Sequence, residues 1–174
     1  MSKQSIPPQL VIIRGPVGSG KTSVVEAIRA QLEDTGIVDF DTFKRQIDNS
    51  KSSQWRRELA LEIAITMTNR LMESSRFIVA DIHSSMPEQM TAFQEVARQM
   101  EYKLTSFLIY PPLDVCLRRT EQRNVPDITY EIDTAMVESY WSNTYRIESE
   151  KEFCDPSKSP DDIAKSIIEC LRGQ

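Results

Sequence analysis

The stretch Val11–Ile28, VIIRGPVGSGKTSVVEAI, gathers three of the chain's five glycines into six residues, directly after an apolar run and directly before a Lys-Thr pair. Glycine loses more conformational freedom on folding than any other residue, so a glycine-poor chain concentrates it where a Cβ would block the backbone. Gly15, Pro16, Val17, Gly18, Ser19, Gly20, Lys21 and Thr22 spell G-x-x-x-x-G-K-[ST]. In that motif successive backbone N–H groups point inward and cradle phosphate oxygens. The helix expected to open near Gly20 and run on through Ser23 adds the positive end of its dipole, and Val24, Val25, Ile28 and Leu32 give it an apolar face. Lys21 is the point charge that reaches the outer phosphates, and the Thr22 hydroxyl is the expected Mg²⁺ ligand. A strand, a phosphate loop and a helix in this order commit the chain to an α/β architecture.

The rest of the chain keeps the same alternation. QLVIIR, GIVDF, RFIVAD and KLTSFLIY are continuous apolar runs, with KEFCD a weaker fifth; continuity marks strands of a mostly parallel sheet, covered on both faces. Between them lie helix-period segments. Trp55, Leu59, Ile63, Met67 and Leu71 recur at intervals of four. Met90, Phe93, Ala97 and Met100 follow a three-four pattern, as do Ile163, Ile167, Cys170 and Leu171, and Ile132, Met136 and Tyr140 make another face. These apolar and Met stripes are expected to face the core. Ser85 with Glu88 fits a capping box, and SPDD at Ser159 supplies an N-cap, a first-turn proline and two acids for the dipole.

Length and composition narrow the class. At 174 residues the expectation is one domain, residues 1–174. With 21 basic and 26 acidic residues the net charge is −5, which argues against a duplex-binding surface. Cys116, Cys154 and Cys170 lack metal-ligand spacing and read as small buried hydrophobes in a reducing cytosol. MSKQSIPPQL has no apolar h-region and no segment approaches eighteen apolar residues, so a soluble cytoplasmic protein without a membrane partner is expected.

Acids at strand ends are the next candidates, because ligands of open α/β sheets gather at the carboxyl ends of the strands. Asp81 closes RFIVAD and suits a residue that orients Mg²⁺ or its waters, with loop capping as the plainer role. VDFDTFKRQI ends the second strand with Asp39 and Asp41. A carboxylate there can accept a proton from a hydroxyl that attacks phosphorus. Asp41 is preferred as this base and Asp39 is held in reserve, although a helix starting at Thr42 would also use Asp41 as its N-cap. Lys44 is placed to hold substrate or the transferred phosphate, and His83, the only histidine, to touch substrate unless it is a plain loop residue. PPLDVCLRRTEQRNVPDI interrupts the alternation and reads as a helix entering a charged lid around residues 117–128. Its Arg119 and Arg123 share a helical face and could neutralise phosphoryl oxygens from the side opposite Lys21. The extra Arg118 leaves the register of that pair open.

Taken together, GPVGSGKTS, DFDTFK, FIVAD, LRRTEQR and the closing FCDPSKSPDDIAKSII resemble the small P-loop kinases related to zeta toxins, chloramphenicol phosphotransferases and the 5′-hydroxyl kinase domain of polynucleotide kinases. The resemblance spans nearly the whole chain, and it implies a three-layer P-loop NTPase fold with a five-stranded parallel sheet of order 2-3-1-4-5. It also implies ATP with Mg²⁺ as donor, Asp41 as the matched catalytic carboxylate, and Arg119 and Arg123 as lid arginines. Zeta toxins carry an extended substrate region after the base motif, whereas Asn49–Gln54 leads almost directly into a helix; amino-sugar-nucleotide specificity is not carried over. The expected activity is phosphoryl transfer to a hydroxyl of a small nucleoside-, sugar- or antibiotic-like molecule by a monomer or homodimer. Two rivals stand beside it. A polynucleotide 5′-hydroxyl kinase would need a basic channel near Lys44, Arg45, Arg56 and Arg57 with Trp55 as a stacking ring. A nucleotide switch without an acceptor would hydrolyse ATP, the GTP version being disfavoured by the lack of N-K-x-D.

Overall fold

The computed structural model describes residues 8–47, 54–123 and 132–173. Along the chain run β1 (Gln9–Gly15), α1 (Lys21–Gln31), β2 (Thr35–Asp39), α2 (Phe40–Ile47), α3 (Gln54–Met72) and β3 (Phe77–His83). They are followed by α4 (Pro87–Gln99), β4 (Lys103–Ile109), α5 (Leu113–Arg123), α6 (Thr134–Ser142), β5 (Lys151–Phe153) and α7 (Pro160–Arg172). The five strands form one parallel sheet of order β2-β3-β1-β4-β5, the order the family resemblance implied. β1 is central: its register with β3 runs from Gln9↔Phe77 to Gly15↔His83.

Strand alternation divides the core. Val11 and Ile13 of β1, with Phe77 and Val79 of β3, join Val24, Ile28, Ile167 and Leu171 under α1 and α7. Leu10 and Ile12, with Ile78, Ala80 and Ile82, join Ala64, Met90, Phe93 and Val96 under α3 and α4. Both faces are covered, which is why β1 and β3 are buried along their whole length. The same parity sends Asp81 and His83 toward the α1 side, at the end of the sheet where the phosphate loop begins.

Several local expectations need correction. The α3 stripe is out of phase: Trp55 is 51% exposed and Leu59 and Met67 are exposed too, while Arg56, Ala60, Ala64, Thr68 and Met72 face inward. Small residues let a long helix lie close to the layers beneath it, and the bulky stripe one position earlier is displaced to the flank. Arg56 is buried because its Nε donates to the Lys44 carbonyl at 2.6 Å, closing the end of α2. In α4 Met90, Phe93 and Ala97 are buried but Met100, the C-cap, is exposed. Pro87 takes the first turn of α4 and shifts the N-cap to Met86, so Ser85 and Glu88 form no capping box. In α6 the buried residue is Val137, with Met136 and Tyr140 only partly covered. The Ser159 cap does form, its hydroxyl accepting from the Asp162 N–H and donating to the Asp162 carboxylate. Only Cys116 among the cysteines is buried; Cys154 is exposed and Cys170 intermediate. No helix among the described residues is long and apolar enough to cross a membrane.

Candidate active site

The loop after β1 needs its glycines for two separate reasons. Gly18 sits at φ +77° and Gly20 at φ +97°, backbone regions that side chains rarely adopt. A Cβ on Gly18 would also stand 2.4 Å from the Cys116 carbonyl, because α5 packs directly on the loop. Gly20 is the N-cap of α1, and Lys21 opens the helix. Lys21 is 7% exposed. Its ammonium meets the Pro16 carbonyl at 3.4 Å and an Asp81 oxygen at 3.8 Å, loose contacts for a buried cation. Ser19 Oγ is buried with no hydrogen-bond partner. A cradle of crowded glycines, an under-satisfied lysine and an orphaned hydroxyl fits a phosphate chain by both shape and charge.

Asp81 lies opposite. Its Oδ2 accepts the Thr22 hydroxyl at 2.9 Å. Burial raises its carboxyl to about 6, with the charges of Asp41 and Asp39 adding to the rise and Lys21 and Thr22 opposing it. β3 continues two residues past Asp81, which is therefore an interior strand residue and not a loop cap. Thr22 and Asp81 suit Mg²⁺, which keeps most of its shell as water and phosphate oxygen and needs one or two protein oxygens. No group of three or more His, Cys, Asp or Glu among the described residues could hold a metal by itself.

The second-strand acids divide their roles. α2 starts at Phe40, two residues earlier than expected, so Asp39 and not Asp41 does the capping: its Oδ1 accepts the Thr42 N–H at 3.0 Å and its Oδ2 the Thr42 hydroxyl at 2.7 Å. Asp41 is released to the cleft. Its Oδ1 meets His83 Nε2 at 3.0 Å and Lys44 Nζ at 3.0 Å, while Oδ2 receives no hydrogen bond among the described residues. Burial works to raise the Asp41 carboxyl, but His83 and Lys44 outweigh it and hold the group well below the ordinary carboxylate range. Lys44 thus holds Asp41 in this structure. His83, read from sequence as a substrate contact or a loop residue, is the last residue of β3 and only 4% exposed.

On the other side of the loop, Arg119 Nη1 donates to the Ser19 carbonyl at 2.8 Å. Arg119, Gln122, Lys158 and Pro160 line a cavity of about 250 Å³ beside Ser19 and Gly20. Arg118 is exposed. The backbone of Arg123 closes α5; its side chain lies outside the described residues, as do residues 124–131 of the expected lid and residues 48–53 of the short connection.

Arg14 was not a candidate from the sequence. Arg14, fully buried just before the loop, makes two bonds of 2.8 and 2.7 Å to Glu150 and a third of 2.9 Å to the Tyr145 carbonyl. Its guanidinium also lies 4.1 Å from the Tyr145 ring centre. Ser84 and Thr144 add a hydroxyl pair at 2.7 Å. These contacts fasten the segment after α6 to the head of the sheet. An arginine closing an otherwise apolar strand was the available signal.

Comparison with curated proteins gives no match. Among solved structures, the fold is similar to the APS kinase of Mycobacterium tuberculosis, in complex with AMPPNP and APS, at 18% identity and a TM-score of 0.71, covering 98% of this chain and 100% of that one. It is also similar to the Deinococcus radiodurans tunicamycin resistance protein at 14% identity and a TM-score of 0.68, covering 94% and 95%. A gluconokinase from Sinorhizobium meliloti matches at 17% identity and a TM-score of 0.67, covering 94% and 91%. With a phosphate loop of the G-x-x-x-x-G-K-[ST] type on a 2-3-1-4-5 sheet, and a family model that matches residues 10–146, the chain belongs to the P-loop family described as AAA domain.

Proposed function

We propose that the protein is an ATP-dependent kinase that transfers a phosphoryl group to a hydroxyl of a small molecule. The observation that carries this reading is a carboxylate with one open oxygen beside a phosphate cradle. Asp41 is tied to His83, and His83 is the register partner of Gly15 at the head of the loop. A carboxylate held there can take the proton of an attacking acceptor hydroxyl; ATP hydrolysis that no acceptor alters would instead select the switch. The fold agrees, since similar folds carry the names APS kinase and gluconokinase; those names also differ in acceptor, so the fold leaves the acceptor open.

In this reading Gly15–Ser23 hold the phosphates of ATP, and the cavity beside Arg119 takes the rest of the nucleotide. Thr22 and Asp81 hold Mg²⁺, which when bound neutralises charge on the outer phosphates. Lys21 sits at those phosphates with its charge only partly matched by Asp81. The acceptor O–H proton passes to Asp41 Oδ2 while the acceptor oxygen bonds to the γ-phosphorus and the bond to the bridging oxygen of ADP breaks. Arg123, one turn beyond Arg119, is the second lid cation, and closure of the lid excludes water that would otherwise take the phosphoryl group.

The test is ATP consumption against pooled nucleosides, sugars, antibiotics and 5′-hydroxyl oligonucleotides. One pool should stimulate ADP release. Asp41→Asn should keep ATP binding and lose transfer by about 10²–10⁴-fold, and Lys21→Ala should lose both with the fold intact. Transfer at the wild-type rate in Asp41→Asn would remove Asp41 as the base.

A nucleic-acid 5′-hydroxyl acceptor is the second reading, and one observation favours it. Trp55 is half exposed and so free to stack on a base, contrary to its expected place in the core. Net charge −5 still weighs against it. Activity on oligonucleotides that falls steeply with salt, and is lost in Trp55→Ala, would select it.

A further inference from the structure

We propose that His83 is the positioning residue of the base: its Nε2–H holds Asp41 by Oδ1 and thereby leaves Oδ2 as the oxygen that receives the acceptor proton. The inference rests on the kinase reading for its functional meaning, but the hydrogen bond itself can be tested without it.

The geometry is specific. The ring is held between aromatic neighbours, stacked on Tyr140 at 5.3 Å and 30° and perpendicular to Phe40 at 6.2 Å and 86°. Its backbone N–H donates to Gln89 Oε1 at 3.0 Å, and Gln89 is itself 2% exposed. Neither the ring nor its strand can swing away without breaking buried contacts. At 4% exposure His83 is too enclosed to meet a substrate directly, so any effect on the reaction passes through Asp41, 3.0 Å away.

The tautomer follows from the same contacts. Nδ1 is buried with no hydrogen-bond partner, and a proton placed there would be a donor with no acceptor. The proton therefore sits on Nε2, facing the carboxylate. Lys44 meets the same Oδ1 at 3.0 Å. The His83 hydrogen bond and the Lys44 ion pair both fall on Oδ1, and the Asp41 side chain is 36% exposed, enough for a hydroxyl to approach at Oδ2. The arrangement fixes a base by its outer-shell partner, as a ring N–H of known tautomer does in other sites.

Two substitutions separate donor from ring. His83→Phe keeps the stack and removes the donor. His83→Gln removes the ring and keeps an N–H near the Nε2 position. With the acceptor found in the pooled screen, His83→Phe should lower kcat by about 10–100-fold, the size typical of outer-shell partners, with the KM for ATP unchanged. His83→Gln should recover most of that loss, and in an Asp41→Asn background His83→Phe should cost nothing more. The reverse order, Phe active and Gln impaired, would make His83 a packing residue and overturn the proposal. So would equal losses in both variants, or an undiminished effect in the Asp41→Asn background.

Because His83 is the only histidine, long-range ¹⁵N–¹H NMR of the unliganded protein reads its tautomer without an acceptor. The proton should lie on Nε2 and its resonance should move in Asp41→Ala. A proton on Nδ1 with Nε2 bare, or no response to Asp41→Ala, refutes the hydrogen bond whatever the enzyme's activity. Normal transfer by Asp41→Asn, with the expected NMR result, would instead refute the assignment of the base.

Discussion

Replacing Asp81 by Asn should make the unliganded protein more stable at neutral pH. The side chain is 7% exposed and has Thr22 Oγ1 at 2.9 Å, Lys21 at 3.8 Å and no other partner among the described residues. Burial dominates, so the folded carboxyl sits at about 6 against an ordinary 3.8. An acid raised in the folded state holds its proton more tightly there than in the unfolded chain. Its contribution to stability is therefore intact below pH 4 and is lost as pH climbs to about 6, the reverse of a salt-bridged aspartate. Lifting a carboxyl over that interval corresponds to about 3 kcal/mol. Asparagine keeps an oxygen for the Thr22 hydroxyl and has no charge to bury. Urea unfolding of both proteins from pH 4 to 7.5, with EDTA and no nucleotide, isolates the effect. The stability of Asp81→Asn minus that of wild type should rise with pH by as much as about 3 kcal/mol. A difference that is flat, or that falls with pH, refutes the reasoning. Mg²⁺ with ATP should then stabilise wild type more than the variant, since the buried charge gains its counter-ion only in wild type.

Gly18→Ala meets both a φ of +77° and a carbonyl at 2.4 Å, so it should cost about 1–3 kcal/mol in denaturant midpoint and abolish ATP binding by calorimetry. Arg14→Met leaves Glu150, 1% exposed, without its cation; a loss of about 3–5 kcal/mol is expected, with most of it recovered in Arg14→Met/Glu150→Leu. The phase of α3 can be tested by a matched pair: Ala64→Leu should cost about 1–3 kcal/mol by crowding the core, while Trp55→Ser should stay within about 0.5 kcal/mol.

The sequence revealed most where one residue type has one physical use. Glycines beside Lys21 fixed the loop, and continuous apolar runs fixed the strands, because only a sheet covered on both faces needs them. Ser159-Pro160-Asp161-Asp162 fixed the start of α7 because each residue there meets a separate demand of a helix end. Where several placements satisfy the same local rule, sequence ran out. On α3 two neighbouring series, one bulky and one small, both repeat at four; packing distance chose Ala60, Ala64 and Thr68 over Trp55, Leu59 and Met67. At the end of β2, Asp39 and Asp41 are both good caps. A helix start two residues earlier than expected decided between them, and a hydrogen bond from a strand 42 residues away completed the choice. Such long-range pairing leaves no local trace, and the Arg14–Glu150 pair, 136 residues apart, is the same case.

The placement of the chemistry is a consequence of strand parity. On β3, Phe77 and Val79 pack under α1 and α7, so the next residues of that series, Asp81 and His83, emerge on the α1 side at the loop. The other series, Ile78, Ala80 and Ile82, stays inside the α3–α4 layer to the end of the strand. A slip of one residue between β1 and β3 would set Ile82 against Thr22 and drive Asp81 and His83 into that apolar layer. An unpaired carboxylate there costs several kcal/mol, comparable with the whole stability of a small domain. The two side chains that serve the proposed reaction therefore also specify the register that delivers them. This is consistent with a site that tolerates one destabilised carboxyl: the charge of Asp81 disfavours the unliganded fold as a whole, yet disfavours the slipped alternative far more.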